Sequence, residues 1–245
     1  LRYRLSYLGM LWTLIEPLLT MIVLSVVFGS MLGRNSSDLA FAGVPFPIYV
    51  LTGRLLYSFF SSATNSAMRS IRSNGAMIKK VYVPKYIYPF SGILANFIIF
   101  LISLIVLVGV MVFFVANGSY HAPMNGYMVL SIVPLVNLFI LAMGVGMILA
   151  TLCVFFRDIE YLWSVMIMIM YCSAIFYFVD NMSKSTQLIV KANPLFGIIN
   201  NFRRALFGQP FDMTLLTYTS VISVAALLIG MFVFYKKQDA FILNI

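Results

Sequence analysis

The stretch RSIRSNGAMIKKVYVPKYIYP, residues 69–89, decides how the rest of the chain is read. It carries Arg69, Arg72, Lys79, Lys80 and Lys85 with no Asp or Glu, and it lies between two long apolar runs. A short loop this basic stays on the cytoplasmic side of a bilayer and so fixes the orientation of its neighbours. Asn74-Gly75 predicts the end of one helix, and Ala76–Tyr82 is long enough for about two helical turns. Pro84 and Pro89 bracket the start of the next span.

Composition fixes the class. Hydrophobic residues make up 62% of the chain and charged residues 9%, with a mean hydropathy of +1.00. A soluble domain carries roughly a quarter charged residues. The fold class predicted is therefore an all-α integral membrane protein, a single membrane domain over residues 1–245. The formal charge of +9 belongs at the cytoplasmic ends of spans, facing anionic lipid headgroups, and is not a nucleic-acid footprint. Cys153 and Cys172 fall in or beside spans and imply no disulfide framework. Leu1 in place of Met is read as a missing leading segment, and no cleavable signal peptide is recognisable.

Upstream of the basic loop, residues 1–16 read as an amphipathic helix in the cytoplasmic interface, or as the first part of span one. Arg2, Ser6, Gly9, Thr13 and Glu16 share one face and Leu5, Leu8, Trp12 and Ile15 another, with Arg4 snorkelling. Span one is placed at 17–33, with Pro17 at its helix start, and span two at 48–68. Arg54, Ser58, Ser61, Asn65, Arg69 and Arg72 recur at steps of three and four, giving one polar stripe. A central arginine costs roughly 2.5–3.5 kcal/mol on insertion scales, so the stripe should face protein or a wet path. A translocation route and polar helix packing both satisfy it.

Downstream, 69–86 is the cytoplasmic loop and 87–115 span three, long enough to tilt or project. His121, the one histidine, falls on an outer loop and reads as plain surface. Span four, 127–156, carries Pro134, a kink or the end of a short interfacial helix, and Gly144 and Gly146 suited to close packing. RDIEYL at 157–162 makes an inner turn, and span five is 161–179. Residues 180–212 form a structured outer segment. In it Asn193-Pro194 starts a helix and Gly208 stops it, with Leu195, Ile198, Ile199, Phe202 and Leu206 on one face. Asn200, Asn201, Arg203 and Arg204 lie opposite or flanking, so the helix is expected to dip into the outer leaflet or re-enter the membrane. Span six is 213–235, followed by Lys236 and Lys237. Six spans with both termini inside leave more Lys and Arg on inner than on outer segments, as positive-inside topology requires.

Enzyme chemistry finds little support. One histidine on an expected outer loop leaves little for Ser–His catalysis or a His-based metal site. Glu16, Asp158 and Glu160 are placed at inner helix ends, where capping explains them, and no acidic residue is expected inside a span. A phosphate-cradling GxxxxGK[ST] loop is absent, so nucleotide chemistry has to come from another chain.

Five segments carry a resemblance: YLGMLWTLIEPLL, YVLTGRLLYSFFSSATNSAMRSI, IKKVYVPKYIYP, FFRDIEYL and NPLFGIINNFRRALFG. Taken together and in this order, they resemble the permease subunits of type-2 ABC exporters, in the branch that moves capsular polysaccharide, O-antigen or teichoic acid. The resemblance implies six helices per subunit, a homodimer, and two copies of a separate ABC ATPase that bind ATP and Mg, with no cofactor in this chain. It implies no catalytic residue and no metal site here, and translocase activity only with that ATPase. It also implies an interface helix at 2–16 and a coupling helix at about 72–82, with short outer helices at Thr186–Ala192 and Pro194–Phe207. Arg72, Met77, Lys79, Lys80, Tyr82 and Lys85 are then the coupling residues, and Asn193, Pro194, Arg203 and Arg204 mark the outer segment.

A lipid-linked glycan needs a wet path with flat faces for sugar rings. Arg54, Tyr57, Ser58, Ser61, Asn65, Tyr171, Phe176 and Tyr177 are the candidates to line it, with Phe59, Phe60 and Phe178 beside them. Packing against lipid or in interface belts explains the same aromatics. Arg54, Arg203 and Arg204 are suited to phosphate or acidic sugars through bidentate hydrogen bonds. Export of a drug or small lipid, and a non-transporting membrane scaffold, are the alternative functions.

Overall fold

A computed structural model describes residues 12–27, 43–81, 83–121, 126–156, 158–166 and 183–241, with positions 173, 175 and 179. The described residues are helical, without strands. In chain order the helices are α1 (Trp12–Ser25), α2 (Phe46–Ser73), α3 (Gly75–Ile78), α4 (Ile87–Ala116) and α5 (Tyr127–Leu130). There follow α6 (Ile132–Phe155), α7 (Ile159–Met166), α8 (Lys184–Ala192), α9 (Pro194–Leu206) and α10 (Met213–Lys237). Three are long and apolar enough to cross a membrane: α4, the α5–α6 run Tyr127–Phe155, and α10 continued to Ala240. This is an all-α membrane protein.

Local chemistry sets the helix ends. Pro45 precedes α2 and Pro47 sits in its first turn, where a missing N–H costs no hydrogen bond. Span two thus begins earlier than the Ile48 boundary, and it runs on to Ser73. Arg69 and Arg72 therefore share a helix with Arg54. Asn193 caps α9, its side-chain oxygen accepting from the Leu195 N–H at 3.0 Å, and Pro194 follows as its first residue. Gly208 closes it at φ +71°, a left-handed conformation natural to glycine. Asp212 caps α10 by accepting from the Leu215 N–H at 3.2 Å, and Lys236 and Lys237 occupy its last turn.

Two expected boundaries move. Helix α1 is already formed at Trp12 and passes through Pro17, so the division between interface helix and span at Pro17 falls inside one helix. The Thr20 hydroxyl donates there to the carbonyls of Glu16 (2.9 Å) and Pro17 (3.0 Å). The expected two-turn coupling helix is a single turn, Gly75–Ile78, which relaxes into a turn at Lys79 and Lys80. In span four the break falls at Ser131, just ahead of Pro134, whose ring opposes the carbonyl four residues before it. The remaining residues of 1–16, the outer loop with Arg34 and most of span five lie outside the described residues.

Helix α2 is the centre of the bundle. It packs against α4 and α6, and α10 lies along α6. Its Ile48, Leu51, Leu56 and Met68 are fully buried. This burial explains why a helix of 28 residues, about 42 Å long, can carry a polar stripe. Helices α6 and α10 meet backbone to backbone at Gly144 and Gly230: a Cβ on Gly230 would lie 2.5 Å from the Gly144 carbonyl oxygen. Nearby, the buried Asn137 amide donates to the hydroxyls of Thr219 and Ser220, both at 3.1 Å.

Candidate functional site

Contacts between distant segments sort the polar residues onto two ends and a middle. At one end Arg72 forms an ion pair with Glu160, and Arg69 joins it at 3.4 Å. The Arg72 guanidinium also donates to the Cys153 sulfur at 3.7 Å. That bond, against partial desolvation and with Glu160 adding its charge, holds the Arg72 pKa above the ordinary arginine range. Glu160 is therefore more than a helix-end cap: it ties the foot of α2 to the start of α7. Lys85 donates to the Gln238 carbonyl at 2.7 Å and binds the last helix to the same end. Between these anchors Met77, Lys79 and Lys80 stand exposed on and after the one-turn helix. Tyr82 lies outside the described residues. Ile71, Ile78, Phe234 and Phe241 pack beneath the turn as a separate apolar cluster. The result is a rigidly seated, basic, solvent-facing knuckle.

At the far end Arg203, one of the candidates for phosphate or acidic sugars, is fully buried. Its Nη2 donates to the carbonyls of Tyr49 (2.9 Å) and Ile175 (3.4 Å), and its Nε to the Thr52 hydroxyl (3.2 Å). The guanidinium carbon lies 3.5 Å from the centre of the Tyr49 ring. A Cβ at Gly53 would collide with Nη2, so glycine here leaves room for the guanidinium in this position. Helix α9 itself packs on α2, α6 and α10. It is a strut largely buried in the protein. Arg204 is the one that reaches outward, donating to the Pro210 carbonyl at 2.8 Å on an exposed turn. Asn193 additionally donates to the Ser173 hydroxyl at 3.2 Å, which links α9 to span five. Pro194 serves as the helix start.

Between the two ends lies a polar cavity of about 170 Å³, walled by α1, α2 and α4. From α2 come Arg54, Ser58 and Ser62, and from α4 Asn96 and Ser103. Glu16 and Thr20 close it from α1, with Phe59 and Phe100 as apolar walls. Glu16 was placed at a helix end, but it lies inside α1 and faces the middle of α2 and α4. Because α1 runs unbroken through Pro17, the exposed Glu16 lies along the cavity and carries a charge opposite in sign to that of Arg54. The polar stripe accordingly divides. Arg54 and Ser58 line the cavity, Arg69 and Arg72 serve the basic end, and Ser61 and Asn65 are half-buried outside the cavity wall. The Asn65 amide donates to the Ser61 carbonyl at 3.0 Å. Tyr57, Phe59 and Phe60 are buried, Phe59 against Phe97 and Phe100 and Phe60 against Trp163. Tyr171, Phe176, Tyr177 and Phe178 lie outside the described residues.

Sequence reasoning missed Glu16, Thr20, Asn96, Ser62 and Ser103 as members of this cavity. A signal existed: Asn96 and Ser103 stand seven apart, two helical turns, in an otherwise apolar run. Among the described residues no group of His, Cys, Asp and Glu could hold a metal ion.

A helical membrane bundle with a basic knuckle at one end and a polar cavity in its middle defines a permease-like membrane subunit. The model of the ABC-2 type transporter family matches residues 1–207, and the chain belongs to that family. It is 25% identical over 241 residues to the O-antigen export system permease protein RfbA of Klebsiella pneumoniae, covering 98% of this chain and 88% of the relative. The polysialic acid transport protein KpsM of Escherichia coli is 24% identical over 236 residues, 95% of this chain and 87% of the relative. The capsule polysaccharide export inner-membrane protein CtrC of Neisseria meningitidis serogroup A is 25% identical over 209 residues, 85% and 75% of the two chains.

Proposed function

We propose that this chain is the membrane-spanning subunit of an ATP-driven exporter of a lipid-linked polysaccharide such as a capsule, O-antigen or teichoic-acid-like polymer. The observation that carries this reading is that the similarity to three kinds of glycan-export permease runs through nearly the whole chain. In this reading the chain has six spans with both termini in the cytoplasm of the cell (inner or plasma) membrane. It works as a homodimer whose channel carries the polymer, with two copies of an ABC ATPase that bind ATP and Mg. The knuckle at 75–80 would seat on the ATPase. Its lysines suit an acidic surface, and its anchorage through Arg72–Glu160 and Lys85–Gln238 suits the transmission of a push into α2 and α10.

The test is reconstitution with its cognate ABC ATPase. Lipid-linked polymer should stimulate ATP hydrolysis, and deletion of the permease should leave polymer inside the cell and none on its surface. Normal surface polymer in the deletion strain would overturn the reading.

A further inference from the structure

Helix α8, nine residues long, is held to the bundle by its buried residue Val190, which packs with Val179, Phe196 and Leu215. Away from that contact Leu188 and Ile189 are 74% and 66% exposed. Lys184 and Lys191 stand two helical turns apart, so they share a face, with Leu188 between them. Both lysines are exposed, and α8 has no acidic residue. Among the described residues neither lysine forms a salt bridge.

Helix α10 sets the depth of α8. It has 25 residues and is about 37 Å long, against about 30 Å of hydrocarbon, so its first turn lies at the edge of the bilayer core. Tyr218 stands about 7.5 Å along that helix, and side chains lean toward the N-terminus of their helix. Its hydroxyl donates to the carbonyl of Ala192, the last residue of α8, at 2.8 Å. Helix α8 is therefore held where headgroups meet acyl chains. The basic knuckle lies at the other end of α10, beside Gln238. Exposed aliphatic side chains flanked by lysines at this depth have the chemistry of an interfacial lipid contact.

We propose that α8 docks on the bilayer surface opposite the knuckle and binds anionic phospholipid headgroups there. Leu188 and Ile189 enter the top of the acyl-chain layer, while Lys184 and Lys191 extend their ammonium groups to the phosphates. A second copy of this helix is a poorer occupant. Each copy brings two lysines and no carboxylate, so a self-contact would set like charges against each other. A glycan supplies hydroxyls but no hydrocarbon layer for the two aliphatic side chains. The docked helix continues through Asn193 into α9, whose Arg203 reaches α2, so the lipid contact is tied to the central helix. The inference stands whichever solute the protein moves.

The experiment uses the full permease–ATPase complex in nanodiscs, with Cys153 and Cys172 replaced by alanine and bimane attached through Ser185→Cys. Ser185 is exposed and lies one turn before Ile189, so the label leaves both lysines and both aliphatic side chains in place. Quenching is read with phosphatidylglycerol or phosphatidylcholine brominated near the top of the acyl chains, at equal mole fraction, and with aqueous iodide. Both lipids should quench. Phosphatidylglycerol should do so with about a fivefold larger constant at low salt, the factor for roughly 1 kcal/mol of attraction. Lys184→Gln combined with Lys191→Gln should erase that preference and keep quenching by phosphatidylcholine. Leu188→Asn combined with Ile189→Asn should lower quenching by both lipids and raise quenching by iodide. All four side chains are exposed, so the variants should elute as folded protein on size exclusion. Equal quenching by the two lipids before any of these changes would overturn the headgroup contact. Quenching by iodide alone would put α8 in water, and protection from lipid and iodide together would put protein over it, a second copy included. Either result overturns the docking, as does loss of lipid quenching when a soluble anionic polysaccharide is added, which would assign this face to a glycan.

Discussion

Arg203 of α9 lays its guanidinium 3.5 Å from the centre of the Tyr49 ring in the first turns of α2 and donates to the Tyr49 carbonyl at 2.9 Å. One side chain thus joins segments 154 residues apart in sequence. It uses a cation–π contact and hydrogen bonds to groups that would otherwise need other donors. Arginine suits this role because its planar fork reaches several acceptors while stacking on an aromatic face, which a lysine ammonium cannot do. The strut α9 is thereby clamped to the central helix, and the clamp yields the first prediction. Arg203→Leu should destabilise the purified protein by about 3 kcal/mol, since the stacking on Tyr49 and the hydrogen bonds to the Ile175 carbonyl and the Thr52 hydroxyl are lost together. Arg203→Lys should recover less than half of the loss. Arg204→Gln, on the exposed turn, should change stability by less than about 0.5 kcal/mol. Thermal unfolding in detergent measures all three, and equal effects at 203 and 204 would refute the clamp.

Gly53 supplies an independent test of the same geometry. Gly53→Ala places a methyl where the Arg203 fork lies, so it should destabilise although alanine favours helix. In a double-mutant cycle Gly53→Ala should cost little once Arg203 is Leu, a coupling of at least about 1 kcal/mol. Strict additivity would mean that the two residues do not meet.

Helices α6 and α10 are close enough at Gly144 and Gly230 that neither position admits a side chain. Gly144→Val and Gly230→Val should each abolish a folded, monodisperse protein or lower its melting temperature by many degrees, while Gly109→Ala, in open space, should not. Fluorescence-detected size exclusion in detergent reads this directly. Well-folded Gly144→Val would show that the two backbones do not touch.

These contacts mark what the sequence could and could not disclose. The helix limits around α9 were legible because Asn193-Pro194 and Gly208 act locally: a cap, a preset φ and a left-handed stop. The polar stripe on α2 was legible as a period, because the steps of three and four in sequence are also neighbours in space. What it faces was not legible. Whether Arg203 is solvent-exposed or buried depends on Tyr49, Thr52 and Gly53, more than a hundred residues away, and no periodicity in α9 encodes them. The role of Glu16 was hidden for a different reason. Pro17 read as a helix start, whereas flanking turns carry the helix through it and set Glu16 alongside the cavity.

At the basic end, charge reversal at Lys79 and Lys80 should uncouple ATP hydrolysis from transport without loss of folded protein, because both side chains are exposed. Glu160→Gln should give a milder defect of the same kind, since it loosens Arg69 and Arg72 from α7 while leaving the knuckle's surface intact. Reconstituted permease–ATPase pairs, assayed for both activities, distinguish these outcomes. Wild-type transport by the doubly reversed variant would exclude the knuckle as the coupling element.

The last prediction concerns which face of α2 is wet. Ser58 and Ser62 line the polar cavity with Arg54, whereas Ser61 and Asn65 lie outside its wall, so the reactive face is rotated from the stripe drawn on sequence alone. With Cys153 and Cys172 replaced, single cysteines at 58 and 62 should react with small hydrophilic thiol reagents within the resting protein. Those at 61 and 65 should react several-fold more slowly unless transport opens a second route along that face. The two rates should respond differently to turnover. ATP and substrate should change labelling at 61 and 65 if the homodimer channel runs there, because a moving α2 exposes its other side, while the cavity face is already wet at rest. Arg54→Leu should slow labelling at 58, since it removes the charge that hydrates the cavity, and should leave 65 unaffected. Fast labelling at 61 and 65 with protection at 58 and 62, in the resting state, would put water on the opposite face and remove the cavity from any account of transport.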